Sequence, residues 1–275
     1  MSAPSIRIIS DVHYGDRASR VRSLGQLRPL LDGVGHLVLN GDTLDTRPGA
    51  DPAATAELTA TVRAFFDQAV AATTFVTGNH DADVSPHHYL DLADGAVFAT
   101  HGDILFDNLV PWSRDADTAG RRIAAELARL PEHARADLDG RLAVFRRVAR
   151  SIPQRHQAEK NPLRYTVRFL ADTVWPPHRL VLVARAWQLL PPRTFELVRR
   201  HRPRARFVLT GHIHRPGMWT SARGVTSINT GSFVPPLGGY AVDVTAGRLT
   251  ARRVELRRGE FHPGERVADF PLAAG

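Results

Sequence analysis

Thr73-Thr74-Phe75-Val76-Thr77-Gly78-Asn79-His80-Asp81 is the stretch on which the fold turns. A β-branched, apolar run ends in a glycine, and an amide, an imidazole and a carboxylate follow without a break. The run reads as a buried strand, and Gly78 as the point where the chain leaves it. Side chains leaving a strand end sit on a rigid frame, which suits chemistry better than core or turn.

Four more segments share this form. Ser10-Asp11-Val12-His13 follows Ile6-Arg7-Ile8-Ile9, and Asn40-Gly41-Asp42-Thr43-Leu44-Asp45 follows Leu37-Val38-Leu39. His101-Gly102-Asp103 follows Ala96-Val97-Phe98-Ala99, and Gly211-His212-Ile213-His214-Arg215-Pro216 follows Phe207-Val208-Leu209. Each offers Asp, Asn or His after a short apolar run, and the chain has no cysteine. Hard oxygen and borderline nitrogen donors without thiolate suit Mn²⁺, Fe or Zn²⁺ rather than an iron–sulfur cluster or a structural zinc. Asp11 and His13, like His212 and His214, are two residues apart, a spacing that turns both side chains to one side of an extended chain.

Outward from these clusters the pattern alternates strand and helix. Helices are expected over 18–31, where Gly25 and Pro29 count against one, and over 53–71, with Leu58, Val62, Phe65, Phe66 and Val70 inward. This alternation indicates an α/β fold with a largely parallel sheet. The segment 82–95 reads as loop with a short helix, its His87 and His88 exposed or touching substrate. Residues 113–204 read as an all-helical insertion punctuated by Pro153, Pro162, Pro176-Pro177 and Pro191-Pro192. Its helical faces are Leu138, Leu142, Phe145, Ala149 and Ile152, then Leu163, Val167, Leu170 and Val174. Two further helices follow, near 178–190 and 192–202. Strands return in 205–257 with turns at Gly224 and Gly247, and 258–275 reads as a draped tail. The expected organisation is a core of 1–112 and 205–257, an insertion of 113–204 and a tail of 258–275.

The net charge of +8 is unevenly placed. Residues 113–204 hold 20 Lys and Arg against 9 Asp and Glu, near +11, which leaves the remainder near −3. Lys160 is the only lysine; the other cations are arginines. Such a basic segment can meet anionic lipid or the phosphates of a nucleic acid, although few aromatic residues interleave with its arginines to stack on bases. No apolar run approaches 18 residues and no secretory leader is read, so a cytoplasmic or membrane-peripheral protein is expected.

The five clusters in this order resemble those of the calcineurin-like metallophosphoesterases: Asp-x-His, Gly-Asp-x-x-Asp, Gly-Asn-His-Asp, a later His, and Gly-His-x-His. The resemblance implies a two-sheet αββα sandwich. It also implies two divalent ions, one held by Asp11, His13, Asp42 and His214 and the other by Asp42, Asn79, His101 and His212, with Asp42 bridging. Ions roughly 3.5–4 Å apart clamp a phosphoryl group and turn a bridging water into the nucleophile. In the family the histidine at position 80 faces the leaving group, and the carboxylate at position 45 orients it; on the residues alone, Asp45 also reads as a helix or turn cap. Asp81 and Asp103 read as supporting or turn residues. A helical insertion before Gly-His-x-His resembles the UDP-2,3-diacylglucosamine pyrophosphohydrolases, whose helical cap holds acyl chains. That branch carries arginine where His80 stands. A general phosphatase or phosphodiesterase, a nuclease, and an interaction module on the same fold are the alternatives.

Overall fold

The computed structural model describes residues 5–154, 159, 161–173 and 175–272. In chain order the strands are β1 (Ile6–Ile9), β2 (His36–Asn40), β3 (Ala72–Val76), β4 (Tyr89–Leu92), β5 (Val97–Thr100), β6 (Phe207–Thr210), β7 (Gly217–Thr220), β8 (Thr226–Asn229), β9 (Tyr240–Thr245), β10 (Arg248–Arg257) and β11 (Glu260–Pro271). The helices are α1 (Arg28–Leu31), α2 (Pro52–Ala69), α3 (Ala116–Arg129), α4 (Glu132–Ala136), α5 (Leu138–Arg150), α6 (Pro162–Thr173) and α7 (His178–His201).

The strands form two sheets, ordered β11-β10-β9-β1-β2-β3 and β4-β5-β6-β8-β7. In the first, β1, β2 and β3 are parallel and β9 to β11 are antiparallel additions. In the second, β5, β6 and β8 are parallel, with β4 and β7 as antiparallel edges. Ile8, Val38 and Val76 face Val97, Leu209 and Ile228 in one apolar layer between the sheets. The outer face of the first sheet is covered by Val62 and Phe66 of α2 with Leu27 and Leu30. The outer face of the second is covered by Ile123 of α3, Leu142 and Phe145 of α5 and Val198 of α7. The result is an αββα sandwich. Helices from 113–204 thus supply its second helical layer.

Local chemistry explains where elements begin. Asp51 caps α2 by accepting from Ala54 N at 3.0 Å, and Pro52 sits where a missing N–H costs nothing. Asp137 caps α5 through Asp139 N and Gly140 N.

Several expectations are corrected. The helix over 18–31 shrinks to a 3-10 turn at Leu24–Leu27 and the four-residue α1, as Gly25 and Pro29 shorten the run. The segment 82–95 holds the short helix expected, a 3-10 turn at Ala93–Gly95, but also strand β4. The two helices expected on either side of Pro191-Pro192 are one, because Leu190, Thr194 and Val198 are buried on both sides of the proline pair and packing outweighs the lost hydrogen bonds. On α6, Leu163 and Val167 face solvent instead of the core. Tyr165, on the other side of the helix, is buried and reaches Asp16. Val174 and the side chain of Leu170 lie outside the described residues. The tail is not draped: 260–271 pairs with β10 through a two-residue turn in which Arg258 (φ 50°) and Gly259 (φ 86°) are both left-handed. That is the backbone a tight hairpin requires.

Candidate metal centre

All five clusters sit past the carboxyl ends of parallel strands: β1, β2 and β3 of one sheet, β5 and β6 of the other. Backbone hydrogen bonds tie the loops together across the crest. Asp11 N bonds Gly41 O (3.0 Å), His13 N bonds Asp42 O (2.9 Å), and Gly211 N bonds His101 O (2.8 Å). Asp81 is a staple rather than a donor to the centre. Its carboxylate accepts from Gly78 N (2.7 Å), Asp42 N (3.0 Å) and Thr43 N (2.7 Å), so it fastens the loop after β3 to the loop after β2. Glycines are needed where these loops touch. A Cβ on Gly78 would lie 2.2 Å from Asp42 Oδ1, one on Gly211 2.0 Å from Asp11 Oδ2, and one on Gly41 2.4 Å from His101 Nδ1.

The donors converge in three overlapping groups, Asp11/His13/His214, Asp42/His101/His212 and His13/Asp42/His80, each with ligand atoms within 4.8 Å of one another. His214 Nε2 lies 3.2 Å from Asp11 Oδ1 and 3.1 Å from His13 Nε2. His101 Nε2 lies 3.2 Å from Asp42 Oδ2 and 3.3 Å from Asn79 Oδ1, which brings the amide oxygen to the second group. Neighbours outside the centre set which ring nitrogen faces it. His101 Nδ1 donates to Asn40 O (3.1 Å) and leaves Nε2 toward Asp42; His212 Nε2 donates to Leu109 O (2.9 Å) and leaves Nδ1. Phe106 and Trp112 lie against His212, with ring centroids at 5.6 and 5.7 Å.

The electrostatics are those of a cation site. Asp11 and Asp42 are buried, which alone would raise their carboxyls, but His101 and the other histidines hold both below the usual range. Burial pushes His13 and His212 down to about 4, so both rings are neutral and able to donate a lone pair. His101 goes the other way. Burial disfavours its charge, but Asp42 and Asp11 override that and push it up to about 10. In the metal-free chain a proton on His101 thus sits where the carboxylates demand positive charge. Two carboxylates, imidazoles with fixed tautomers and an amide oxygen, without thiolate, fit two divalent ions.

His80 and Asp45 stand beside this set. His80 Nδ1 lies 3.2 Å from Asp45 Oδ2, and the His80 ring is edge-on to His13 at 5.0 Å. The same Asp45 oxygen accepts from Arg47 Nη2 at 2.7 Å. Burial alone would raise the Asp45 carboxyl, but Arg47 and His80 hold it well below the carboxylate range. Arg47 escaped the sequence reading, because Arg47-Pro48-Gly49 carries only a turn signal. Asp103 pairs with Arg146 of α5 and is not a donor to the centre. His87 is exposed, and the half-buried His88 bonds Thr77 Oγ1 at 2.8 Å; neither joins the three donor groups.

Residues 4–216 match the family described as calcineurin-like phosphoesterase. This chain belongs to that family. Similar solved structures include a dimetal phosphatase from Danio rerio, at 16% identity over 99% of each chain with a TM-score of 0.47. Vacuolar Protein Sorting 29 from Cryptosporidium parvum is 12% identical over 98% of this chain and 100% of its own, TM-score 0.47. Vps29 from Chaetomium thermophilum is 13% identical over 100% of both chains, TM-score 0.44. No curated protein matches this calcineurin-like phosphoesterase.

Proposed function

We propose that this chain is a dinuclear-metal-dependent phosphoester hydrolase. The observation that carries the reading is the pair of donor groups, Asp11/His13/His214 and Asp42/His101/His212, side by side at the crest of the two sheets. In this reading Asp11, His13, Asp42 and His214 hold one ion, and Asp42, Asn79, His101 and His212 the other. Mn²⁺ is the favoured ion, with Fe and Zn²⁺ accepted by the same donors. When bound, two divalent ions polarise a phosphoryl group and supply an acidified water. The rest falls to the chain's own residues. His80, its Nδ1 proton held by Asp45, presents its other nitrogen to the departing oxygen and gives it a proton or hydrogen bond. Asn79 brings an oxygen without adding charge, and the loop glycines keep the donors in contact.

For the substrate, the reading is an anionic amphiphile of the UDP-2,3-diacylglucosamine type, cleaved at its diphosphate. In support, the basic segment 113–204 carries Leu163, Val167, Trp175, Leu180 and Val181, which are 52–74% exposed. Exposed tryptophan and aliphatic side chains among arginines suit the interface of an anionic bilayer. No helix among the described residues is long and apolar enough to cross a membrane, so any membrane contact of these helices would be peripheral.

The test is hydrolysis by the metal-stripped, Mn²⁺-reloaded chain and its Asn79→Ala variant. The substrates are p-nitrophenyl phosphate, its bis ester, UDP-2,3-diacylglucosamine and single-stranded DNA. Turnover of the lipid nucleotide far above the others supports the full reading. Turnover of the generic esters alone leaves the hydrolase and removes that substrate, and turnover of DNA alone makes it a nuclease. No Mn²⁺-dependent turnover, with no metal bound, overturns the reading in favour of an interaction module.

A further inference from the structure

We propose that Arg47 is a positioning residue of this centre, gripping both oxygens of Asp45 so that the carboxylate presents a fixed acceptor to His80 Nδ1. The proposal rests on the reading of His80 as the group that meets the leaving oxygen.

Arg47 follows Asp45 by two residues, yet its side chain is only 11% exposed and that of Asp45 only 12%. Burying a guanidinium is expensive unless its partner geometry is good. Here it is two-pronged: Nε meets Oδ1 at 3.0 Å and Nη2 meets Oδ2 at 2.7 Å, while Arg47 N adds a third bond to Oδ1 at 3.1 Å. Planar bidentate pairing fixes the carboxylate plane, which a single bond or a lysine does less well. Oδ2 is the oxygen shared with His80 Nδ1. Arg47, Asp45 and His80 therefore form one chain of hydrogen bonds leading to the donors of His13 and Asp42, which lie within 4.8 Å of a His80 ring nitrogen.

The loop that carries this chain is itself held on two sides. Thr46 N bonds His80 O at 2.9 Å. From beyond α5, Gln154 N bonds Pro48 O at 2.8 Å and Gln154 Nε2 bonds Asp45 O at 2.9 Å. Gly49 makes room for this clamp, since a Cβ there would lie 2.3 Å from Gln154 Oε1. With the backbone fixed, the remaining freedom of Asp45 is rotation of its side chain, and Arg47 removes that freedom. Without it the carboxylate can turn from His80, and the imidazole loses the partner that decides which nitrogen carries the proton.

Arg47→Met, Arg47→Lys and His80→Ala are compared with the wild type, all loaded with Mn²⁺, on p-nitrophenyl phosphate and phenyl phosphate. These esters share a phosphoryl group and differ in how much their leaving oxygen needs a proton. Arg47→Met is expected to lower kcat on phenyl phosphate by about 10–100-fold, part of what a general acid contributes, with little loss on the p-nitrophenyl ester and KM unmoved. Arg47→Lys is expected to recover part of the loss. In the metal-free chain, ¹⁵N spectra of the imidazoles should show His80 as the Nδ1–H form in wild type and as mixed tautomers in Arg47→Met. Equal kcat losses on the two esters, a raised KM with kcat kept, or an unchanged tautomer overturns the proposal. The His80→Ala arm separates the two levels. If it favours the better leaving group and the Arg47 variants do not, the Arg47 proposal alone falls. If it shows no such bias, the His80 reading falls and takes Arg47 with it; if the wild type cleaves neither ester, the tautomer comparison decides the Arg47 proposal. Should Arg47→Met not fold, Arg47→Lys and Gln154→Ala carry the same comparison.

Discussion

Asp11 (φ 52°), His13 (47°), Asp42 (52°), His212 (72°) and His214 (52°) occupy backbone that L-residues avoid, five of the nine such non-glycine positions among the described residues. A left-handed L-residue costs roughly 1–2 kcal/mol, and it persists where the surroundings impose it. Five such positions among the proposed ligands mean that the loops are bent to aim side chains, at the expense of stability. His214→Gly tests this, since the His214 side chain, 37% exposed, is the least buried of the five. Relief of the left-handed strain, less the extra chain entropy of glycine, leaves a net gain of about 0–1 kcal/mol. The metal-free variant should therefore match or exceed wild type in urea while its Mn²⁺ affinity falls; a clear loss of stability would show that the His214 contact with Asp11 outweighs the strain. Gly78→Ala acts in the opposite sense. Its Cβ would lie 2.5 Å from Asp42 N as well as 2.2 Å from Asp42 Oδ1, so the Asp42 carboxylate must move. A displacement of that kind costs on the order of 100-fold in rate. Gly224→Ala, with nothing within 4 Å of the added carbon, is the control: its left-handed backbone (φ 80°) costs some stability, but metal and turnover should both be kept.

At the scale of elements, the join between α5 and the loop after β5 is a buried ion pair. Arg146 and Asp103 have side chains 4% and 0% exposed, and Asp103 Oδ2 with Arg146 Nε and Nη1 have no hydrogen-bond partner among the described residues. Removing one member leaves an uncompensated buried charge. Arg146→Met should therefore destabilise by about 3–5 kcal/mol, while the pair Asp103→Leu with Arg146→Met should recover most of it. Urea midpoints of the two variants decide this, and a double variant as weak as the single one would mean that the charges themselves hold the helix. This pair also marks where the sequence stopped being informative. The strand ends were legible because each places an apolar run directly before its polar cluster, so local order carries the whole signal. Arg146 was legible only as one cation on a helix face, since its partner is 43 positions away. Arg47 hid in a turn signal, and Tyr165 set the buried face of α6 through Asp16, 149 positions away. The last hairpin was missed because Arg258-Gly259 is a weaker turn signal than Asn-Gly, and register shifts along β10 blur its alternation.

For the molecule as a whole, proton and metal linkage make opposite demands on the same residues. In the metal-free chain His13 and His212 sit at about 4 against an ordinary 6.5, so the unfolded state binds more protons between those values, and stability is lost as pH falls through that window. His101, raised to about 10, has the reverse sign: its contribution is fully present below 6.5 and is lost as pH rises toward 10. A divalent ion changes the second term and not the first, because it replaces the proton that Asp42 and Asp11 keep on His101. Metal uptake at neutral pH should then release about one proton from this residue. Apparent affinity should rise about tenfold, or about 1.4 kcal/mol, per pH unit. At 100 times its Kd, Mn²⁺ stabilises by about 2.7 kcal/mol. For a chain of this size that is roughly 5–10 °C in Tm. The Tm gain on adding Mn²⁺ to the stripped chain should therefore widen steadily from pH 6.5 to 8.5. Calorimetric titrations in buffers of different ionisation enthalpy should count the released proton. A gain that is flat across that range, with no proton released, would mean that His101 is already neutral before metal arrives and that the two carboxylates do not hold a cation's place.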